Sequence, residues 1–327
     1  MLHKFTKRGF IAAAASVAIA TTAAMPAVAA EWKPNKPIEM VIMAGQGGGA
    51  DRIARLFQSI IQKEGLASMP VLPVNKGGGS GAEALRHLKD NGGDSHKIMA
   101  TLNSYYTTPL RNDIGVNIEE FTPLARMALD TFVLWVNADS DIKSLDDYVA
   151  AVKAAGGSWK MGGTGTGQED SLVTAMLQKE FGLEITYVPF KGGGTVAKNL
   201  VGGHIDSTVN NPSEQMGFYK AGKSRPLVAF TPERLAAFPD VPTARELGHD
   251  IVYWMQRSFV GPKDMPAEAA AYYTDMFKKL SETEEWKTYT EEKSLMNDFL
   301  SGDALQVYFL EERAKHADIL KAKGEGS

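Results

Sequence analysis

IEMVIMAGQGGGADRIARLFQSIIQK (Ile38–Lys63) decides how the rest of this chain is read. Its first seven residues are almost wholly apolar, as in a strand buried on both faces. From Asp51 onward the apolar residues Ile53, Leu56, Phe57, Ile60 and Ile61 recur at helical spacing. Between them lies QGGGAD (Gln46–Asp51). Glycine in an element interior costs roughly 0.5–1 kcal/mol relative to alanine, so a triple run marks a place where backbone must approach something closely. The same device recurs as KGGGSG (Lys76–Gly81) and KGGGTV (Lys191–Val196).

Outward from this unit the strand–helix alternation continues. PVLPVN, HKIMATLN, SWKMGGTG, ITYVPF, IDSTVNN and RPLVAFTP read as strands, and LARMALDTFVLWVNAD as a long strand-like segment. GAEALRHLKDN, SLVTAMLQKEFG and VAKNLVGG read as helices, as does SLDDYVAAVKAAGG with Ser144 as N-cap. The pattern turns helical after IVYWMQRSFVGP, where Tyr272, Tyr273, Met276 and Phe277 read as core. Such alternation predicts an α/β fold with parallel sheets covered by helices. Two stretches, PVNKGGGSGAEALRHLKDNGGDSHKIMA and PFKGGGTVAKNLVGGHIDSTV, share an order of strand, Lys-Gly-Gly-Gly, helix, Gly-Gly and strand. They are either ordinary corners with similar turns or equivalent corners of two related lobes.

Bulk properties narrow the classes. Residues 1–30 combine a basic start (Lys4, Lys7, Arg8), a short apolar run and a small-residue site, the pattern of a signal peptide cleaved after Ala29 or Ala30. Their apolar run is shorter than the roughly 20 residues of a spanning helix. Export permits disulfides, yet the chain has no Cys, which excludes thiol chemistry and Cys-ligated metal. Three of its 35 Lys and Arg fall in the leader, leaving 32 against 39 acids and a net charge of about −7. A chain this acidic, without a basic block, is not a nucleic-acid binder.

Chemistry is therefore sought at the strand-to-helix corners. There the first helical amides point outward unpaired, and the helix dipole favours an anion. QGGGAD fits, with Asp51 as N-cap of the helix. MGGTGTGQED (Met161–Asp170) adds the hydroxyls of Thr164 and Thr166, and NSYY (Asn103–Tyr106) and NNPSE (Asn210–Glu214) also end strands. Other signals are declined. GFYKAGKS (Gly217–Ser224) matches a phosphate loop letter for letter, but it leaves a helix and enters a strand, the reverse of what that loop needs. GGTGTGQ misses the dinucleotide glycine spacing, the six His are scattered, and no G-x-S-x-G elbow exists. No cofactor or metal is expected.

QGGGAD with IARLFQ, YVPFKGGGTVAKNLVGGHIDSTVNN, FPDVPTARELG and TEEWKTYTEEKSLMNDFLSGDALQVYFLEE together resemble the solute-binding proteins of tripartite tricarboxylate transporters, the Bug/TctC family. The likeness runs through essentially the whole mature chain. It implies a two-lobed periplasmic binding protein (type II-like), each lobe a mainly parallel sheet flanked by helices. Lobe one is expected at 31–131 plus 252–327 and lobe two at 132–251, with a hinge at Thr131–Val136 and Ile251–Val260. The resemblance further implies a monomeric receptor, not an enzyme, that hands a small organic carboxylate to one large and one small membrane subunit. A di- or tricarboxylate is favoured. The residues expected at the ligand are Gln46, Gly47, Gly48, Gly49, Asp51, Ser104, Tyr105, Thr164, Gly165, Thr166, Gln168, Lys191, Gly192, Gly193, Thr195 and Asn211. Two departures stand out: Gln46 where the family usually has Pro, and Gln256-Arg257-Ser258 where it usually has Trp-Arg-Gly. The alternatives are a receptor of an ABC or TRAP transporter and, in another class, an exported hydrolase.

Overall fold

A computed structural model describes residues 1, 2 and 32–322 of the chain. The signal-peptide reading falls outside the described residues. Strand β1 (Ile38–Ile42) leads into helix α1 (Gly49–Lys63), β2 (Val71–Asn75) into α2 (Ala82–Lys89), and β3 (Lys97–Thr101) into α3 (Ser104–Arg111). β4 (Thr122–Thr131) and β5 (Val133–Asn137) follow, then α4 (Leu145–Ala154), β6 (Lys160–Gly163), α5 (Glu169–Phe181), β7 (Thr186–Pro189) and α6 (Gly193–Val201). The chain continues through β8 (Ser207–Asn210), α7 (Pro212–Lys220), β9 (Ser224–Ala229) and β10 (Trp254–Gly261). It ends with α8 (Ala267–Ser281), α9 (Glu284–Lys293), β11 (Met296–Leu300) and α10 (Gly302–Ala322).

These strands form two sheets flanked by helices, in orders β11-β4-β10-β3-β1-β2 and β7-β6-β8-β5-β9. Both are mixed and not mainly parallel. β1 runs parallel to β2 and β3, and β6 parallel to β7 and β8. β10 and β5, by contrast, are antiparallel to their neighbours. The antiparallel strands are the ones adjoining the passages between sheets, where no helix intervenes to reset direction. The segment LARMALDTFVLWVNAD is not one strand: β4 ends at Thr131 in the first sheet, and β5 begins at Val133 in the second. Only Phe132 lies between them, and it is fully buried. The return passage is tied to it, because Phe230 N–H donates to Phe132 O and Tyr253 N–H to Phe230 O.

The first sheet is clamped by a ring cluster in which Phe57 packs on Phe259 (centroids 5.4 Å apart) and edge-on against Trp286 (4.8 Å). Such pairs add about 0.5–1.5 kcal/mol each beyond burial. Tyr273, Met276 and Phe277 of α8 are buried as the helical spacing predicts, and Tyr272 is partly buried against them. Ser144 caps α4 as expected, its hydroxyl accepting from Asp147 N–H at 3.1 Å. The two KGGG runs occupy matching places. Each follows the edge strand of its sheet, β2 or β7, beside a parallel neighbour, β1 or β6, that opens into a further glycine-rich loop. The likeness of the two stretches is thus a likeness of position and not of turn chemistry alone.

Candidate functional site

The glycine loops meet. A Cβ built on Gly77 would lie 2.7 Å from the backbone carbon of Ala44 and 2.8 Å from the amide nitrogen of Gly45, so the second loop packs backbone on backbone against the first. A Cβ on Gly45 would lie 2.8 Å from the carbonyl oxygen of Lys191, which belongs to the third. Real Cβ atoms essentially never come within 3.0 Å of such neighbours. The three glycine-rich loops therefore touch one another through backbone, at Gly77 and at Gly45. In the first loop Gly47 has φ +78°, a conformation that favours glycine.

Together they wall a cavity of about 620 Å³, within the range of small-ligand sites. Four helices begin at it: the N-cap residues Gly48 of α1, Gln168 of α5, Gly192 of α6 and Asn211 of α7 all line it. Of the residues expected at the ligand, Gln46, Gly48, Gly49, Thr164, Gly165, Gln168, Lys191, Gly192, Gly193 and Asn211 line this cavity. The other six do not. Asp51 is not the N-cap; from the third position of α1 it reaches back to accept Gly47 N–H at 2.9 Å, and it also holds Arg55 and Asn75. Gly47 is exposed and does not line the cavity. Ser104 donates its backbone N–H to Glu169 Oε1 at 3.2 Å, with its side chain buried. Tyr105 is wholly buried and donates its hydroxyl to Ile118 O at 2.9 Å, on the core side of α3. Thr166 gives its carbonyl to Arg111, and Thr195 is exposed two residues beyond Gly193 in α6.

Several walls were not among the residues expected at the ligand. The second glycine run and Ser80 contribute one side, with Asn75. Three acids contribute another: Glu169 and Asp170 in the first turn of α5, and Glu214 in the first turn of α7. Their signal was present in GQED and PSE, carboxylates directly after glycine- or asparagine-bearing corners. Burial pushes all three up from their usual values. For Asp170 burial, partly offset by Thr164 N–H, raises the pKa to about 8. Arg257 of β10 is the buried cation of the site and pairs with fully buried Asp130, its Nε donating to Oδ2 at 3.0 Å. Burial works against its charge, but Asp130, then Glu214 and Glu169, hold its pKa raised. Gln256 does not line the cavity: its side chain bonds Thr101 and the carbonyl of Leu102 (2.6 Å), and its N–H donates to Asn103 Oδ1. Gln46 is exposed at the rim.

Contacts between the two halves already surround the cavity. Gly49 N–H donates to Glu214 Oε1 at 2.9 Å, Arg52 Nη1 to Ser213 O at 2.9 Å, and Arg111 Nη1 to Thr166 O at 2.6 Å. GFYKAGKS, as declined, spans the end of α7 and the start of β9. Among the described residues no group of three His, Asp or Glu is placed to hold a metal ion, and no helix is long and apolar enough to cross a membrane.

Comparison with known proteins agrees with this layout. A family model described as tripartite tricarboxylate transporter family receptor matches residues 53–324. A Cupriavidus necator protein, the UPF0065 protein in the gbd 5' region, is 30% identical over 85% of this chain and 84% of its own length. Among solved structures, the periplasmic binding protein BugD superposes with a TM-score of 0.83 at 19% identity, covering 90% of this chain and 99% of that one. MatC from Rhodopseudomonas palustris, solved with bound malate, gives 0.80 at 20% identity, covering 88% and 99%. At these identities the structures show a shared fold.

Proposed function

The chain belongs to the tripartite tricarboxylate transporter receptor family, and from that premise we propose that it is a periplasmic receptor, not an enzyme, that captures a small organic acid in the cavity between its two sheets. It would act as a monomer and deliver its ligand to a permease of one large and one small membrane subunit. One observation carries the reading: the N-caps of α1, α5, α6 and α7 all line a single cavity. Four converging helix N-termini favour negative charge on a ligand. The hinge expected at Thr131–Val136 and Ile251–Val260 would divide lobe one (31–131 plus 252–327) from lobe two (132–251). A ligand that touches both lobes favours the closed arrangement to the extent of its differential contacts. MatC, solved with malate, supports a carboxylate as the common element. The ligand contacts proposed are Gln46, Gly48, Gly49, Thr164, Gly165, Gln168, Lys191, Gly192, Gly193 and Asn211.

The test is thermal unfolding of ligand-stripped protein against millimolar organic acids. A ligand at 100 times its Kd stabilises by about 2.7 kcal/mol, a shift of several degrees. One chemical series giving that shift supports the receptor reading; folded protein that responds to no acid overturns it.

A further inference from the structure

Two helices of the first half begin without a cap of their own. The N-cap of α1 is Gly48, which has no side chain to offer, and the N-cap of α3 is Asn103, which makes no side-chain cap bond. Asparagine is ordinarily a good capping residue. Here its amide is spent on the return strand: Nδ2 donates to the Tyr253 hydroxyl at 3.2 Å and to Trp254 O at 2.8 Å, and Oδ1 accepts Gln256 N–H at 3.0 Å. Both helices are capped from the second half instead. Glu214 in the first turn of α7 accepts Gly49 N–H, the first amide of α1, at 2.9 Å. Glu169 in the first turn of α5 accepts Ser104 N–H, the first amide of α3, at 3.2 Å. Each cap is matched by a bond in the other direction. Arg52 of α1 donates Nη1 to Ser213 O, next to Glu214, at 2.9 Å, and Arg111 of α3 donates Nη1 to Thr166 O, in the loop before Glu169, at 2.6 Å.

We propose that these two reciprocal pairs, α1 with α7 and α3 with α5, form a latch that populates the closed arrangement of the halves before any solute enters. Glu214 and Glu169 are its positioning residues, and Arg52 and Arg111 make its return contacts. The inference rests on the two-lobed receptor reading above and concerns the motion of that receptor, whatever acid it takes. All four bonds are made by the chain alone, so closure satisfies them without help from a ligand. Both acids are buried, Glu214 at 9% exposure and Glu169 at 3%. A buried carboxylate needs such donors, and for each acid the amide it caps favours the charged form against burial. Room for Glu214 is built in, since a Cβ on Gly193 would sit only 1.6 Å from Oε2. Opening returns two helix N-termini to water with their first amides uncapped. A solute then adds its contacts to an equilibrium that the chain has already moved toward closure.

The experiment measures the separation of the halves in solute-free protein. The chain has no Cys, so spin labels at Ser59→Cys on α1 and Lys198→Cys on α6, both exposed positions, report one distance by pulsed electron paramagnetic resonance. Protein with the latch intact is expected to populate the separation seen in the structure alongside a longer one. Losing one charge-assisted hydrogen bond should move the ratio about tenfold or more toward the longer separation. Glu214→Ala, Glu169→Ala and Arg111→Ala should each do so, and Arg111 does not line the cavity. Glu214→Gln keeps an acceptor for Gly49 and should retain more of the short separation than Glu214→Ala. The melting temperature of each variant shows that it folds. A single longer separation in the latched protein overturns the inference, as do alanine variants that keep its ratio. A short population that grows in Glu214→Ala and Glu169→Ala, as relief of repulsion among the acids would give, overturns it too. These results leave the receptor reading standing. A separation that neither the variants nor any organic acid changes overturns the two-lobed reading itself.

Discussion

Alanine at Gly45 should act as a wedge between the halves of the molecule. Its Cβ would meet Lys191 O at 2.8 Å. Ordinary contact needs about 3.4 Å, so the two loops must part by several tenths of an ångström. Overpacking of this kind costs about 1–3 kcal/mol when the structure cannot move aside. Here it can, because Gly45 follows β1 of one sheet and Lys191 follows β7 of the other. Opening relieves the clash without unpacking either core. The cost then falls on the closed, liganded state alone, and a loss of 1–3 kcal/mol is about a 5- to 150-fold rise in Kd. Gly45→Ala should therefore melt within a degree or two of wild type without ligand, yet lose most of the ligand-induced shift. Thermal unfolding with and without ligand, paired with calorimetric titration, separates the two effects. Gly77→Ala is the contrast: its clash is with Ala44 and Gly45 inside one half, so it should lower the unliganded melting temperature. If Gly45→Ala instead loses stability without ligand and keeps its affinity, the contact is internal packing and the two-lobe argument built on it fails.

Three further outcomes follow from the geometry. Asp170, Glu169 and Glu214 are raised from unfolded values of 3.8, 4.5 and 4.5 by burial, Asp170 to about 8. The folded state thus holds protons that the unfolded chain has released, and their contribution to stability is lost as pH rises from about 4 toward 8. Asp170→Asn should flatten the melting-temperature profile across that window relative to wild type; an unchanged profile would place the proton elsewhere. Arg257→Met leaves Asp130 buried without its counter-ion and should cost about 3–5 kcal/mol in urea unfolding, largely recovered by adding Asp130→Leu. Ser144→Ala removes the cap of α4 and should cost about 1 kcal/mol without changing ligand affinity; a loss of affinity would tie α4 to the site.

The local rules carried far into this structure. Apolar runs gave β1 and β3, the helical period gave α1 and α8, and Ser144 gave the start of α4, because each depends on neighbours a few residues away. The segment holding β4 and β5 reads as one strand-like run, with a hinge expected inside it at Thr131–Val136. The apolar pattern of FVLWV does not itself separate the two strands, since both are buried. At the site, the glycine and asparagine N-caps were legible from corner chemistry. Tyr105 and Ser104 were misplaced because helix phase decides which side chain faces the cavity, and NSYY offers no periodic face to read. Arg257 was named only inside a segment quoted for its departures at Gln256 and Ser258. Its weight comes from Asp130, a partner 127 positions away in sequence.

The triple glycines are explained by two demands that sequence cannot separate. A glycine corner lets a ligand approach backbone, but Gly77 and Gly45 are required by other backbone, before any ligand enters. Gly49 and Gly193 are required by side chains, the guanidinium of Arg257 and the carboxylate of Glu214. Each substitution therefore has its own signature. A Cβ at Gly77 strains one lobe and one at Gly45 strains closure, whereas one at Gly193 drives Glu214 from the corner between α1 and α6. That last change costs a charge-assisted hydrogen bond, about 1.5–3 kcal/mol, and returns the amide of Gly49 to the cavity. Glycines at the three loops thus answer to three different neighbours: Gly77 to the backbone of the first loop, Gly45 to the carbonyl of Lys191, and Gly193 to the carboxylate of Glu214.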